Sequence, residues 1–408
     1  MRKVFFSVLW DMQYRTDKKS GRRLSVLGLG CMRFPVNLGR IDLQKAEKII
    51  LSSIEKGINY FDTAWIYMGS EEAVGYILEK NNLRDKVFIA TKLPAMLTGK
   101  QKDFDRFFNQ ELKRLRTDRI DYYLIHNLAD LTSWEHLVRM GIESWIKSKK
   151  ESGQIGQIGF SFHGIAGEFL KILDAYPWEF CQIQYNYSDE NYQAGAAGLK
   201  KAAETMPVMI MEPLLGGKLA NNLPKAAEEI FRNAPGPQYS PAAWGLRWLW
   251  NQEEVTVVLS GMNDPAQIEE NCSLAGVSPA FSLTADELAL YGRVREVFNS
   301  GNKINCTGCA YCLPCPHGVN IPGCFSAYNT SYLMNWKSGI HLYMNGTAIT
   351  SSKSSGPENC TGCGKCETKC PQKIPIIKSL KLVRKRMEPF PANLIIKAAR
   401  AYMAGKKK

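Results

Sequence analysis

The residues with the clearest capacity for chemistry are cysteines concentrated near the C-terminal end of the chain. Nine of the twelve cysteines lie between residues 306 and 370, and eight of these form two blocks that each end in Cys-Pro. Two-residue gaps let one turning loop direct three thiolates to three irons of a cubane cluster, while a distant Cys-Pro supplies the fourth ligand of the other cluster. The spacing therefore predicts two [4Fe-4S] clusters. The blocks are Cys306, Cys309, Cys312 and Cys315, and Cys360, Cys363, Cys366 and Cys370.

The assignment of the eight thiolates to two clusters follows from the spacing of the blocks. The second block resembles the bacterial two-cluster ferredoxin pattern, whereas the last gap of the first block is one residue shorter. Zinc sites usually separate their Cys pairs and disulfides do not suit a reducing cytosol, so both are less favoured explanations. Cys324 is left over, either as a core thiol or as the eighth ligand in place of Cys315. One predicted cluster uses Cys306, Cys309, Cys312 and Cys370, and the other uses Cys360, Cys363, Cys366 and Cys315.

A second set of reactive residues follows short apolar runs in the first half of the chain. Asp62 and Tyr67 follow one run, Lys92 ends the next and His126 ends a third. Reduction of a carbonyl by hydride needs a proton donor for the forming alkoxide, and a phenol can serve. A nearby ammonium held by a carboxylate would lower the pKa of that phenol, and a histidine would orient the carbonyl. We expect Tyr67 to be the general acid, Lys92 and Asp62 to tune it and His126 to orient substrate; a structural ion pair beside two packing residues is the alternative.

These residues require a scaffold that brings several strand ends together. Between about residues 26 and 276, eight β-branched or aromatic runs alternate with segments of helical period. The first run lacks the G-x-G-x-x-G sequence of an open Rossmann sheet. The pattern predicts an α/β fold, a (β/α)8 TIM barrel with its active site at the C-terminal ends of the strands. The predicted strands span 26–31, 60–64, 87–92, 120–126, 155–161, 180–186, 207–213 and 255–261.

The remaining sequence predicts a second, smaller module. We expect the barrel over 12–280, a linker helix over 281–305, a small mainly α-helical ferredoxin-like dicluster domain over 306–375 and a basic C-terminal tail over 376–408. The formal net charge is +13, and residues 371–408 contain eleven Lys or Arg against one acidic residue. A solvated helix is the first interpretation of this tail, with attraction of an acidic redox partner as another. Nucleic-acid binding is not expected.

Two observations bear on the compartment of the protein. No stretch approaches the roughly 18 to 20 apolar residues of a membrane span, and Asp11 interrupts the apolar run at the start of the sequence. We therefore expect a cytoplasmic protein without a membrane span.

The four strand-end residues resemble the Asp, Tyr, Lys and His tetrad of the aldo/keto reductase family, over about residues 13–276. With the cysteine blocks, the chain resembles the subgroup that carries a C-terminal two-[4Fe-4S] ferredoxin-type domain. The resemblance implies that NAD(P)H binds the barrel, although Phe162 stands where Asn is usual and Gln267 where an Arg usually grips the 2′-phosphate. NAD and NADP both remain open. The implied cofactor-binding residues are Ser161, Gln182, Glu212, Ser260, Gly261, Met262, Asn263, Gln267, Glu270 and Asn271.

These features predict an iron-sulfur oxidoreductase that reduces a small-molecule carbonyl, or oxidises an alcohol, by hydride transfer. We expect its two [4Fe-4S] clusters to exchange electrons with a carrier such as a ferredoxin or a flavoprotein. One alternative is that the clusters only stabilise or dock a reductase that works alone. Another is an electron-transfer or docking protein whose barrel binds nicotinamide weakly or not at all.

Overall fold

The structure is a computed structural model that describes residues 11–128, 130–163, 166–188, 190, 193–221, 223–306, 308, 311–333, 335–347, 355–370, 372–391, 393–394, 396 and 398. The described residues group into two compact units. The first contains those within Met1–Asn221 and Pro237–Leu288, and the second contains those within Asn222–Gly236 and Ala289–Lys408.

The strands all belong to the first unit. Eight of them, β3 and β6 to β12, form a closed parallel barrel in chain order, and β12 pairs with β3 to complete it. The barrel confirms the predicted fold class. Two short antiparallel hairpins, β1–β2 and β4–β5, were not predicted. The strands are β1 (Tyr14–Thr16), β2 (Arg23–Ser25), β3 (Leu27–Gly30), β4 (Val36–Asn37), β5 (Arg40–Ile41), β6 (Tyr60–Asp62), β7 (Phe88–Leu93), β8 (Ile120–Leu128), β9 (Ile155–Phe162), β10 (Phe180–Gln184), β11 (Val208–Met211) and β12 (Val255–Ser260).

The helices follow the strands as the sequence pattern predicts. Helix α3 illustrates the reason: its phenylalanines at 104, 107 and 108 lie on one face and are buried, while most of its charged residues, with the exception of Asp103 and Glu111, face outward. The helices are α1 (Leu43–Glu55), α2 (Ser70–Lys80), α3 (Lys102–Leu115), α4 (Leu131–Arg139), α5 (Ile142–Glu151), α6 (Ala166–Ala175), α7 (Gly195–Ala203), α8 (Lys218–Asn221), α9 (Lys225–Arg232), α10 (Pro241–Trp250), α11 (Pro265–Val277), α12 (Ala285–Gly301), α13 (Ile321–Leu333), α14 (Trp336–Gly346), α15 (Lys365–Thr368) and α16 (Ile376–Met387).

The barrel interior is filled by side chains, so the barrel is a packed core with its polar groups at one end. Leu24 of β2 joins this interior, and the Tyr122 hydroxyl donates a 2.8 Å hydrogen bond to the Asp17 carboxylate of the β1–β2 hairpin. Close packing of the barrel interior holds the C-terminal ends of the strands rigidly, as a functional site at those ends would require. The interior cluster contains Leu24, Tyr60, Ala90, Tyr122, Leu124, Phe180, Met209, Val257 and Leu259.

The second unit is helical and has its own hydrophobic core, to which α13 and α16 contribute most. In α16, residues 376, 380, 383 and 387 are buried at helical spacing, so this basic helix packs one face rather than standing free in solvent. Among the residues that the structure describes, every helix is too short or too polar to span a bilayer. The core contains Ile304, Val319, Ile321, Cys324, Phe325, Ala327, Tyr328, Tyr343, Ile374, Ile376, Leu380, Val383, Met387 and Ile396.

Candidate active site and metal centre

A buried ion pair stands at the C-terminal ends of β6 and β7. The Lys92 Nζ donates to Asp62 Oδ1 at 2.8 Å and Oδ2 at 2.7 Å, and to the Thr63 carbonyl oxygen at 2.7 Å. Parallel pairing of the two strands places Asp62 opposite Ala90, two residues before Lys92 on the same face. Burial, the largest single influence, lowers the pKa of Lys92, but the Asp62 carboxylate together with Tyr67 and Cys31 opposes it, and the net pKa is raised. Lys92 therefore carries a fixed positive charge with almost no exposure to solvent.

Tyr67 lies beside this charge in the turn after β6. The Lys92 Nζ is 5.3 Å from the centroid of the Tyr67 ring. Burial raises the pKa of the Tyr67 phenol and Lys92 opposes the rise, so the net pKa is raised. The sequence led us to expect a lowered pKa. Lys92 acts in that direction, but the loss of solvent around the phenol is the larger effect in this structure.

A bulge in β8 sets the position of His126. Ile125 pairs with Phe160, and the next pairing joins Leu128 to Phe162, so β8 carries an extra residue here. Asn127 adopts a left-handed backbone with φ of 57° and donates its N–H to Ser161 Oγ at 2.8 Å. The His126 ring is edge-on to the Tyr67 ring, with centroids 6.2 Å apart. Burial, the Lys92 charge and His163 lower the pKa of His126 to about 3, which keeps this imidazole neutral.

Two polar side chains on adjacent strands extend this end of the barrel. Ser161 of β9 pairs with Gln182 of β10, and both are buried. The Gln182 Nε2 faces the Met211 sulfur at 3.7 Å, while the buried Gln182 Oε1 has no hydrogen-bond partner among the described residues. An orphaned buried amide oxygen fits an external N–H donor. Phe162 instead packs against Phe169 of α6, with ring centroids 5.1 Å apart, and offers no polar group.

The other predicted cofactor residues lie after β11 and β12. Glu212 follows β11 with a left-handed φ of 51°, and its charge reaches both Tyr67 and His163. Ser260 ends β12, and its Oγ accepts from Asn271 Nδ2 at 3.3 Å, while Met262 is buried. The Asn263 N–H donates to Gln267 Oε1 at 3.1 Å. Gln267 and Glu270 are exposed at the start of α11, and Gly261 is covered by the side chain of Arg33.

Four of the predicted metal ligands line a single cavity in the second unit. The cavity is shallow and partly open to solvent, and His317, Val319 and Leu380 also line it. Cys363 is the exposed member of the set, whereas the other three are partly buried. Among the described residues, no three Cys, His, Asp or Glu side chains are grouped closely enough to hold one metal ion, but four cysteines lining one cavity match the ligand number of one cubane cluster. The four are Cys315, Cys360, Cys363 and Cys366, the same set that the sequence assigns to one cluster.

The remaining cysteines either are predicted cluster ligands outside this cavity or are buried core residues. Cys306, Cys312 and Cys370 are partly buried against the core of the second unit, and Cys309 lies outside the described residues. Cys324 is fully buried in α13 and does not line the cavity. Cys31, Cys181 and Cys272 are buried in the first unit.

Comparison with known families accounts for both units. The family model for aldo/keto reductases matches residues 26–290. The chain belongs to the aldo/keto reductase family. A model for a 4Fe-4S dicluster domain matches residues 305–374, so this aldo/keto reductase carries an iron-sulfur domain at its C-terminal side.

Individual relatives agree with this placement. An aldo-keto reductase from Mycobacterium sp. (strain MCS) is 33% identical over 281 residues, which cover 68% of this chain and 89% of the relative. An L-glyceraldehyde 3-phosphate reductase from Escherichia coli O157:H7 is 26% identical, covering 64% and 87%. The solved structure of an aldo-keto reductase from Klebsiella pneumoniae in complex with NADPH has a TM-score of 0.58 at 22% identity, covering 70% of this aldo/keto reductase and 96% of that chain.

Sequence reasoning missed two cationic residues of this aldo/keto reductase near the strand ends. Arg33 ends the short helical turn after β3, and Lys218 lies at the start of α8 after β11. Burial lowers the pKa of Lys218, and the nearby Glu212 opposes that shift. A search of all eight strand ends for charged residues would have found Arg33.

Proposed function

We propose that this chain reduces a small carbonyl compound with a nicotinamide cofactor, using Tyr67 as proton donor, and that its iron-sulfur domain exchanges electrons with an external carrier. The observation that carries the catalytic part is the Lys92 ammonium, held by Asp62 at 2.7 and 2.8 Å and placed 5.3 Å from the Tyr67 ring.

The tetrad supports proton donation at neutral pH. Because burial raises the pKa of Tyr67, the phenol keeps its proton until an acceptor oxygen gains charge. Lys92 then stabilises the phenolate that remains, and Asp62 holds Lys92 in place. His126, neutral because of its low pKa, donates a hydrogen bond to the carbonyl oxygen without adding a second positive charge.

The strand ends fit a nicotinamide cofactor in part. When bound, such a cofactor supplies the hydride. The orphaned Gln182 Oε1 would accept from the amide group of the nicotinamide, and Ser161 lies opposite it on β9. The related Klebsiella pneumoniae protein binds NADPH. We favour NAD(H) for this chain because Asn263 and Gln267 offer no positive charge for a 2′-phosphate.

We propose that the iron-sulfur domain holds two [4Fe-4S] clusters. The cavity lined by Cys315, Cys360, Cys363 and Cys366 would hold one, and Cys306, Cys309, Cys312 and Cys370 would hold the other. When bound, the clusters supply one-electron transfer. Cys324 is buried in the apolar core away from this cavity, which favours Cys315 as the eighth ligand.

The surface around the cavity supports an acidic electron carrier as partner. Cys363 is exposed, and six exposed lysines follow it within 22 residues, none of whose side-chain ammonium groups forms a hydrogen bond or ion pair with another described residue. Ile377 and Leu380 of α16 line the cavity, so the neighbouring Lys378 and Lys381 lie close to it. Such a surface attracts an acidic ferredoxin or flavoprotein. The lysines, here called the lysine belt, are Lys365, Lys369, Lys373, Lys378, Lys381 and Lys385.

The substrate class is a short polar aldehyde or ketone. One relative is an L-glyceraldehyde 3-phosphate reductase, and polar side chains surround the tetrad in this chain. Gln193 Nε2 donates to Gln184 Oε1 at 2.8 Å, and His163 and Glu212 lie within electrostatic reach of each other. Hydroxyl groups of a substrate would replace water at these side chains.

The test is a Tyr67→Phe variant of the anaerobically purified chain. We expect carbonyl reduction to fall by about 10²- to 10⁴-fold because the proton donor is lost, with about eight irons and eight sulfides still present per chain. Tyr60→Phe is the matched control, since the Tyr60 hydroxyl is buried in the barrel core without a partner among the described residues. Unchanged turnover by Tyr67→Phe contradicts the proposal.

The second candidate function is an electron-transfer or docking protein whose barrel binds nicotinamide weakly or not at all. Three residues favour it: Phe162 packs into the core, Glu212 stands where the resemblance implies a Tyr that stacks on the nicotinamide, and Gln267 is uncharged. Titration of the iron-loaded chain with NADH and NADPH, followed by cluster absorbance and EPR, separates the two. Binding of either nucleotide supports the reductase, and failure of both to bind supports the second candidate.

A further inference from the structure

Arg33 is held in a defined position at the C-terminal end of the barrel. It ends the short helical turn Cys31–Arg33 that directly follows β3. A Cβ atom added to Gly261 would stand 3.1 Å from Arg33 Cδ and 3.4 Å from its Cγ, so the side chain lies flat on this glycine. A Cβ atom on Gly216 would stand 3.0 Å from Arg33 Nη2. The arginine therefore bridges the loops that follow β11 and β12.

The two glycines permit this contact. Gly216 has a left-handed φ of 66°, and its neighbour Gly217 has a φ of 94°, so the turn itself requires glycine. Gly261 has an ordinary backbone, and a side chain there would displace Arg33. The loops leave space for an arginine side chain to lie across them.

Among the described residues, the Arg33 guanidinium has no counter-ion. It is exposed, and no described residue forms a hydrogen bond or an ion pair with it. Other arginines of the same unit are paired: Arg84 with Asp121, Arg114 with Glu71 and Arg247 with Glu287. An arginine fixed by packing, with its planar donors unused, is suited to a bidentate anionic ligand.

The position of Arg33 relates it to the tetrad. Gly30 pairs with Asp62 across β3 and β6, only three residues before Arg33. The Cys31 carbonyl oxygen accepts from Ser70 Oγ at 2.9 Å, and Ser70 Oγ is 2.8 Å from Thr63 Oγ1. Thr63 in turn holds Lys92 through its carbonyl oxygen. Arg33 and the catalytic ion pair thus belong to the same rim of the barrel.

We propose that Arg33 binds the phosphoryl oxygens of a ligand that lies across Gly216 and Gly261 with its reactive end at Tyr67. This inference rests on the proposed reductase function. The phosphoryl group belongs either to the pyrophosphate of the nicotinamide dinucleotide or to a phosphorylated substrate. Arg33 would then supply a positive charge that residues 260–263 and Gln267 lack.

Binding of NADH to the iron-loaded chain, measured by calorimetry, tests the dinucleotide source. We expect Arg33→Gln to raise the Kd for NADH by about ten- to a hundredfold, because a charged bidentate contact is lost. Arg33→Lys should recover only part of the affinity, since the ammonium lacks the planar fork. Arg40→Gln is the matched control: Arg40 of β5 is also exposed, and it does not contact either glycine.

A second variant keeps the test independent of the arginine itself. Gly261→Ala should weaken NADH binding more in the wild-type background than in the Arg33→Gln background, because part of its effect is the displacement of Arg33. If Gly261→Ala changes the Kd for NADH equally in both backgrounds, its methyl group does not act through Arg33, and the inference is contradicted.

Steady-state kinetics test the substrate source. If Arg33→Gln leaves the Kd for NADH unchanged but raises the KM for glycolaldehyde phosphate and not for glycolaldehyde, the phosphoryl group is the substrate's. If neither NADH binding nor either KM changes, the inference is wrong while the reductase stands. Absence of NADH and NADPH binding by the wild-type chain would instead overturn the proposed function.

Discussion

Lys92 is a lysine with only 1% of its surface exposed, and three oxygen atoms surround its ammonium group. Burial of such a charge is costly unless it is paired and hydrogen-bonded, and the bidentate Asp62 contact with the Thr63 carbonyl meets both conditions. A positive charge that is held in place and shielded from water is suited to lower the pKa of a neighbouring phenol. The strand-end positions of Asp62, Lys92 and His126 could be predicted because parallel barrels bring such ends together.

The pKa values of the individual tetrad residues predict how the rate of carbonyl reduction depends on pH. The rate should be constant from about pH 6 to 9, because His126 loses its proton near pH 3, far below its ordinary pKa of 6.5, and burial raises the pKa of Tyr67 above its ordinary 10. The rate should fall only at alkaline pH, where Tyr67 ionises. Lys92→Met should lower the rate and move that alkaline fall to higher pH. An inflection near pH 6.5 that disappears in His126→Gln would contradict this.

Other features of single residues could not be predicted from the sequence. The net rise in the pKa of Tyr67 depends on how much water the surrounding structure excludes, which spacing does not reveal. Arg33 stands among ordinary charged residues in the sequence, and its role depends on two glycines more than 180 residues away. Long-range packing of this kind has no local signal.

The bulge in β8 is the structural element that places His126. Asn127 needs a left-handed backbone for this bulge, a conformation that asparagine tolerates and β-branched residues do not. The eight strands could be predicted from their apolar runs, but the bulge could not, because the extra residue is defined only by pairing with β9.

Substitutions at Asn127 test the bulge. Asn127→Val should destabilise the chain by about 1–3 kcal/mol through backbone strain and should lower carbonyl reduction, since His126 and the contact with Ser161 shift together. Asn127→Gly, which accepts the same backbone without strain, is the control and should keep near-normal activity. Thermal unfolding and kcat/KM are the measurements. Equal tolerance of Val and Gly would show that the bulge is not required.

The helices around the cysteine blocks were harder to anticipate than the barrel. Helix α14 lies in a segment between the blocks that carries several Ser and Gly residues and no regular period. The apolar residues of α16 follow helical spacing, so a helix could be predicted there. Its many basic residues, however, favoured a helix exposed to solvent on all sides, whereas one face is buried. A small metal-binding unit needs less apolar surface than a barrel, so its pattern is weaker.

The eighth metal ligand is tested by two alanine variants. Cys315→Ala should lose about four of the eight irons, because Cys315 lines the cavity with three cysteines of the second block. Cys324→Ala should keep all of them and lose only some thermal stability, since Cys324 is a core residue of α13. Iron and sulfide analysis with EPR distinguishes the variants. The reverse pattern would assign Cys324 as the ligand.

At the scale of the whole molecule, the uneven distribution of charge is the main feature. The net charge is +13, and the lysine belt near Cys363 contributes six positive charges. Composition alone could locate this excess in the last 38 residues. The sequence did not reveal that the basic helix α16 lines the cysteine cavity, because the position of α16 depends on how it packs in the second unit.

Charge reversal in the lysine belt tests its proposed role in carrier binding. Lys378→Glu combined with Lys381→Glu should slow electron transfer from a reduced acidic ferredoxin by about tenfold or more at low ionic strength, and the difference should shrink at high salt. The control is Lys102→Glu with Lys113→Glu, two exposed lysines of α3. Stopped-flow absorbance measures the rates. Equal slowing by both pairs would mean that only net charge matters.

The packing of the cysteines against the core of the second unit has a consequence for the life of the protein in a cell. Six of the predicted ligands contact that core directly. The free energy of cluster binding would therefore contribute to the free energy of folding of this unit. A chain made during iron shortage, or stripped of its clusters by oxygen, would expose apolar residues such as Phe325 and Val383. Exposed apolar surface attracts chaperones and proteases, so iron supply would set how long each newly synthesised molecule survives.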